Sequence, residues 1–181
     1  MNSSYNNKIN FWDIISSITF LKNPKQIVEC GILEGYSLDK FIWNSNLDTQ
    51  IDAYDIFDKF NGNHAIKDKI IKQFNKYDNV NIKYGDFYDV YQKYDDKSID
   101  ILHIDIANNG DVYEFMFQNY VDKLKDDGII LMEGGSFQRD SIEWMIKYNK
   151  HKINHVINKY SDKFYIKTIV EMKSITIIKK K

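Results

Sequence analysis

Five short apolar runs, at residues 27–30, 51–54, 80–84, 99–104 and 129–132, alternate with helix-compatible stretches at 38–43, 64–77, 87–94 and 112–125. Strands that take turns with helices in this way form a parallel sheet covered on both faces. The clearest helix is the last, where Tyr113, Met116, Phe117, Tyr120 and Leu124 make one stripe and Gly128 follows just beyond the end, as a helix and its C-terminal stop would read. After residue 132 the pattern changes. A loop at 133–138 leads into a helix at 140–148, and the chain then turns β-rich, with strands at 164–170 and 174–178 around a short Glu171-Met172-Lys173 link. Two such strands so close together read as an antiparallel hairpin.

Upstream of the sheet, Phe11, Ile14, Ile15, Ile18 and Leu21 recur at three- and four-residue intervals between residues 8 and 21, an amphipathic helix that must end before Pro24. Residues 1–24 are therefore expected to be a polar tail and a helix packed on a single domain spanning 25–181. The 181 residues, 43% of them hydrophobic, are enough for one full core. With 25 basic and 26 acidic side chains, the net charge of −1 gives no field that would attract nucleic acid. Cys30 is the one cysteine, which excludes an intrachain disulfide and fits a reducing, cytoplasmic setting. No apolar run approaches signal-peptide or membrane-spanning length, so no membrane partner is expected.

In an open α/β sheet, ligands bind beyond the carboxyl ends of the strands. The first strand runs into Glu29-Cys30-Gly31-Ile32-Leu33-Glu34-Gly35, with Tyr36 and Ser37 opening a helix. Two glycines four apart let the backbone turn sharply and approach a ligand closely, although a plain strand-to-helix turn would need them too. The next strand ends in Asp55, 24 residues after Gly31; a carboxylate at about that distance can accept both hydroxyls of a ribose, or can be a solvated turn residue. Gly85-Asp86-Phe87 follows the third strand and offers an acceptor and a ring face to adenine, or a helix N-cap. Asp105 ends the fourth strand and Glu133-Gly134-Gly135 the fifth.

With these residues in order, the chain resembles the class I S-adenosylmethionine-dependent methyltransferases over about residues 25–181, in particular the small-molecule and sugar O-methyltransferase branch. Glu29 to Gly35 looks like that family's first motif, Asp55 like its ribose-binding acid, and Asp86-Phe87 like its adenine-binding pair; Leu33 stands where many members have a further glycine. The resemblance implies a Rossmann-like three-layer sandwich with a mostly parallel seven-stranded sheet closed by the C-terminal hairpin. It also implies S-adenosylmethionine as cofactor, held by Glu29, Gly31, Gly35, Ser37, Asp55, Asp86, Phe87 and Asp105.

The acceptor side is expected around Asp105, Asn108, Glu133, Ser136 and Arg139. Asp105 could orient the cofactor amino group, serve as base or bind a metal. In one branch of the family, acids after strands four and five hold a divalent cation such as magnesium, which would make Asp105 and Glu133 the pair, but Glu133-Gly134-Gly135 departs from that branch's Asp-Asp or Asp-Asn. His103 is a second candidate base, although its alternation with Ile101 favours a hydrogen-bonded core histidine. Arg139 offers a planar fork for a carboxylate or phosphate, or an ion pair with Asp140 or Glu143. The implied reaction is methyl transfer to a small-molecule hydroxyl, on a sugar or natural product. The pocket would be walled by residues 8–21, 106–111 and 133–139, or by the second subunit of a homodimer. Amino-group nucleic-acid methylases carry an Asn/Asp-Pro-Pro-aromatic tetrapeptide after strand four, and Pro24 is the single proline here. A non-catalytic cofactor-binding protein and a nicotinamide-dependent oxidoreductase are the rival readings.

Overall fold

The computed structural model describes residues 10–59, 63–169 and 173–181. Helix α1 (Phe11–Lys22) is capped by the Asn10 side chain, which accepts from the Trp12 N–H at 3.0 Å, and ends at Asn23 with φ 48°. Strand β1 (Gln26–Cys30), helix α2 (Tyr36–Trp43), strand β2 (Gln50–Asp55), helix α3 (Lys67–Phe74), strand β3 (Val80–Tyr84), the short helix α4 (Phe87–Val90) and strand β4 (Ile99–Ile104) follow. Next come helix α5 (Gly110–Asn119), strand β5 (Leu124–Glu133), helices α6 (Glu143–Lys147) and α7 (Ile153–Tyr160), and the closing strands β6 (Phe164–Ile169) and β7 (Ile175–Lys180).

The strands form one seven-stranded sheet in the order β3-β2-β1-β4-β5-β7-β6. The first five pair in parallel, and β7 pairs antiparallel with both β5 and β6. This is the expected sheet with its closing hairpin, although Val170, Glu171 and Met172 of the expected strand and link lie outside the described residues, as does the tail at 1–7. Both faces are buried. Ile27, Ile51, Ile101 and Leu131 face a cluster that includes Ile15, Leu38, Phe41, Ile70 and Phe74 of α1, α2 and α3. Val28, Leu102, Ile130 and Met132 face another, with Val112, Tyr113, Met116 and Phe117 of α5 and Ile153 and Val156 of α7. Consecutive residues of one strand thus enter opposite cores, which is why these strands read as unbroken apolar runs.

The helices depart from expectation at several points. The stripe ending at Leu124 belongs to two elements: α5 stops at Asn119, Leu124 opens β5 against Ile99, and Gly128 lies within β5 where the register jumps from Ile99–Leu124 to Ile101–Ile129. A buried leucine fits either element, so periodicity alone ran the helix on. The expected helix at 140–148 is a 3-10 turn (Arg139–Ser141) followed by the five-residue α6, and the expected helix at 64–77 is confined to Lys67–Phe74. Helix α7 falls where only β structure was expected. Its Ile153, Val156, Ile157 and Tyr160 have helical spacing, and its first N–H groups, which Lys152 does not cap, are met by Asp140: Oδ1 accepts from Ile153 at 2.7 Å and Oδ2 from Asn154 at 3.0 Å. Phe117 and Tyr160, stacked with centroids 4.0 Å apart, fasten α7 to α5.

Candidate cofactor and acceptor site

Strand order reverses at β1, whose neighbours are β2 and β4, so the crevice above β1 and β4 is where such a sheet takes a ligand. The loop from β1 to α2 fills that position. Its backbone is sewn to both neighbours: Gly31 N–H donates to the Tyr54 carbonyl at 2.8 Å, and Asp105 N–H donates to the Cys30 carbonyl at 2.9 Å. Gly31 (φ +95°) and Gly35 (φ +79°) need no ligand to explain them. A Cβ on Gly31 would stand 2.0 Å from the Asp105 carbonyl oxygen, and one on Gly35 would stand 2.5 Å from the Phe74 ring. Leu33 also has a left-handed backbone, φ 49°, and is half exposed. The position where many family members carry a glycine therefore keeps a conformation that glycine adopts more cheaply.

Beneath this loop lies a buried polar cluster. Glu29 and His103 are direct neighbours across β1 and β4, both essentially inaccessible. Glu29 Oε1 accepts from the Ser37 hydroxyl and pairs with His103 Nδ1 at 2.9 Å, while Oε2 is buried with no partner among the described residues. Burial disfavours the charged imidazole, but the hydrogen bond and charge of Glu29, with Asp105 nearby, outweigh it and hold the His103 pKa above its ordinary value. His103 therefore lies inside the sheet, against the Phe41 ring at 5.5 Å. That position suits the core histidine, not a base on the rim. Ser37 faces Glu29 in the same interior.

Asp55 ends β2 at the rim, but its oxygens are already engaged. Oδ2 accepts from the N–H groups of Ile32 (2.8 Å) and Leu33 (3.3 Å), and Oδ1 accepts from Phe57 N–H (2.8 Å) and the Asn63 side-chain amide (2.6 Å). Four donors on one carboxylate make Asp55 the clasp of the loop; a ribose hydroxyl would have to replace one of them. Asp86 caps α4 by accepting from Tyr88 N–H at 3.0 Å. Phe87 points inward, 3% exposed and stacked on Tyr120 at 5.1 Å, so it is a core ring rather than an open face. Tyr88, beside it and 43% exposed, is the aromatic residue that does reach solvent.

On the acceptor side, Asp105 is exposed. Asn108 is fully buried, and its amide bridges two strand ends by donating to the carbonyls of Ile104 and Glu133, each at 2.9 Å. It is a bracket, not a surface contact for an acceptor. Ser136 is also buried, and its hydroxyl accepts from Arg139 N–H at 3.1 Å. Arg139 pairs with neither Asp140 nor Glu143 as the alternative reading expected. Its Nε donates to Glu133 Oε1 at 2.8 Å and its Nη2 to Glu133 Oε2 at 3.1 Å, with a third bond from Nη2 to the Asn108 carbonyl at 3.0 Å. The Trp144 ring lies 5.0 Å from the guanidinium carbon. Burial pushes the Glu133 pKa up, Arg139 pulls it down, and nearby Asp105 adds to the rise.

Glu133 is thus not open to a metal: a guanidinium already occupies both of its oxygens, so the possible Asp105 and Glu133 pair does not fit magnesium. Among the described residues no group of three or more His, Cys, Asp and Glu side chains is placed to hold a metal ion. The loop fits S-adenosylmethionine better at one end than at the other. The unpartnered Glu29 Oε2 would suit the ammonium of a methionine moiety, whereas a ribose at Asp55 would have to displace a donor such as Asn63. Sequence reasoning missed one rim feature: His151, just ahead of α7, lies with Nδ1 3.3 Å from Asp111 Oδ1, and its carbonyl accepts from Gly110 N–H at 2.7 Å. Finding α7 from its spacing would have placed it there.

Comparison with known proteins agrees with this fold. Residues 28–133 match the family model described as a methyltransferase domain. No curated protein matches the sequence. Among solved structures, an O-methyltransferase from Bacillus cereus in complex with SAH superposes with a TM-score of 0.72 at 14% identity, covering 98% of this chain and 84% of that one. The O-methyltransferase TomG from Streptomyces achromogenes, in complex with SAM, gives 0.70 at 12% identity, covering 96% and 81%. The SAH-bound Podospora anserina methyltransferase PaMTH1 gives 0.67 at 16%, covering 94% and 78%. At these identities the structures speak for the fold, and the family match, over more than half of the chain, speaks for descent: the chain belongs to the class I S-adenosylmethionine-dependent methyltransferase family.

Proposed function

We propose that this protein transfers a methyl group from S-adenosylmethionine to the oxygen of a small-molecule hydroxyl. The observation that carries the cofactor assignment is the buried, unpartnered Oε2 of Glu29 beneath the glycine loop, since a buried carboxylate oxygen without a donor is costly unless a ligand or water supplies one. Oxygen as the methylated atom is supported by the O-methyltransferases among the structural neighbours.

The cofactor supplies an activated methyl group on a sulfonium, so the protein's task is to align an acceptor with it and exclude water. Glu29 Oε2 would accept from the methionine ammonium. Ser37 and His103 hold that carboxylate in place through its other oxygen. The hydroxyl proton of the acceptor would leave to a base or to solvent. Asp105, exposed at the end of β4, is the carboxylate best placed to receive it. His103, buried behind the loop, would act on the acceptor only through Glu29.

Calorimetric titration of the folded protein with S-adenosylhomocysteine should show one site per chain, and folded protein that binds none rejects the proposal. A labelled-methyl screen over sugars, catechols and hydroxy acids separates an enzyme from a non-catalytic binder: incorporation released by base but not acid points to methyl esters, and stable incorporation to ethers.

A further inference from the structure

Asp105 follows β4 and Glu133 is the last residue of β5, adjacent parallel strands in register with Ile104 opposite Met132. Two carboxylates side by side would repel each other, and such a pair is stable only if one is protonated or a cation lies between them. Here a side-chain cation already sits on one of the two, Glu133. Arg139 turns back from the 3-10 turn and binds both Glu133 oxygens, its Nη2 reaches the Asn108 carbonyl, and the group is 7% exposed. A guanidinium stays protonated at any pH the protein will meet, and a two-bond fork fixes its orientation as well as its charge.

We propose that Arg139 is the resident cation of the acceptor site, so that the site excludes divalent metal and works without it. The inference rests on the methyl-transfer reading for the word acceptor, but not for the exclusion of metal. With Glu133 neutralised by Arg139, the rim presents one net negative charge, that of Asp105, where two free carboxylates would present two. A divalent ion brought to this rim meets a fixed positive charge on the carboxylate it needs. Removing the metal also removes chelation, which requires two adjacent acceptor oxygens on one ion; the site therefore has no reason to prefer a vicinal diol over a single hydroxyl. One guanidinium nitrogen, Nη1, is buried and has no hydrogen-bond partner among the described residues.

The test is Mn2+ binding, followed by electron paramagnetic resonance and by calorimetry. Wild-type protein is expected to leave millimolar Mn2+ free, and Arg139→Met to bind one Mn2+ at least about tenfold more tightly, the gain disappearing in Arg139→Met/Glu133→Gln. A wild-type site for one Mn2+ that is lost in Asp105→Asn or Glu133→Gln overturns the proposal, as does a folded Arg139→Met that gains no affinity. Circular dichroism establishes folding, and if Arg139→Met does not fold, the wild-type titration decides alone. S-adenosylhomocysteine titrated in EDTA keeps the two readings apart: absence of binding rejects the cofactor assignment, whereas binding beside a wild-type Mn2+ site rejects only the role of Arg139.

Discussion

The Cα of Gly31 faces the carbonyl oxygen of Asp105 so closely that a Cβ there would lie 2.0 Å from it. The two residues end adjacent strands, and the contact is backbone against backbone, so no rotamer change can relieve it. Gly31 also has φ +95°, which an alanine reaches only with strain. Gly31→Ala is expected to cost roughly 3 kcal/mol or more of stability, seen as a large drop in the thermal midpoint, and to abolish S-adenosylhomocysteine binding. A variant that melts within a degree or two of wild type would show that the loop is not fastened to β4 as described.

Asn63 donates to Asp55 Oδ1 at 2.6 Å, on the carboxylate proposed to take the ribose hydroxyls. If the cofactor's diol takes that place, the amide is its competitor. Asn63→Ala should then bind S-adenosylhomocysteine a few-fold more tightly by calorimetry. Weaker binding would mean that the amide supports the loop and that the ribose is held elsewhere.

How far the chain could be read without its structure differs between the sheet and the site. The central strands β1 and β4 were legible because both faces are buried, which turns them into apolar runs. The glycine loop and the carboxylates Asp55, Asp86 and Asp105 were legible as strand-end residues. What each side chain does there was not, because partners such as Asn63 for Asp55 or Tyr120 for Phe87 come from distant parts of the chain. Helix α7 was missed although its spacing was present, and Asp140, thirteen residues ahead of Ile153, is the cap that starts it. The pairing of Arg139 with Glu133 rather than with its sequence neighbours depends on a loop that folds back over the strand end.

The buried pair of His103 and Glu29 makes stability depend on pH. Because the folded pKa of His103 lies above its unfolded value of about 6.5, its contribution is complete below about pH 6.5 and is lost as pH rises through the raised folded pKa. Urea midpoints of the wild-type protein should therefore fall as the pH rises above about 6.5 and through the raised folded pKa, and His103→Gln should flatten that slope. An unchanged slope in the variant would show that His103 is neutral in the folded state.

Cys30 sits at the end of β1, 2% exposed, and burial pushes its thiol up to about 12. At that value almost no thiolate exists near neutral pH, and the thiolate is the reactive form. Native protein should resist Ellman's reagent at pH 8, and one thiol per chain should react once the protein is unfolded in guanidinium. Rapid labelling of the native protein would mean that the floor of the glycine loop opens to solvent.

Leu33 adopts φ 49° with its side chain half exposed, in the loop clasped by Asp55. A left-handed leucine is strained by about 1–2 kcal/mol, while glycine relieves the strain but adds freedom to the unfolded chain, worth about 0.5–1 kcal/mol. Leu33→Gly should thus leave stability unchanged or raise it by up to about 1 kcal/mol, as measured by urea unfolding. A large loss would reveal packing for the exposed leucine. If stability holds while S-adenosylhomocysteine binding weakens, the strained residue is retained because its side chain covers the bound cofactor. Equal affinity in the two forms would remove that role and leave Leu33 as a tolerated departure from glycine.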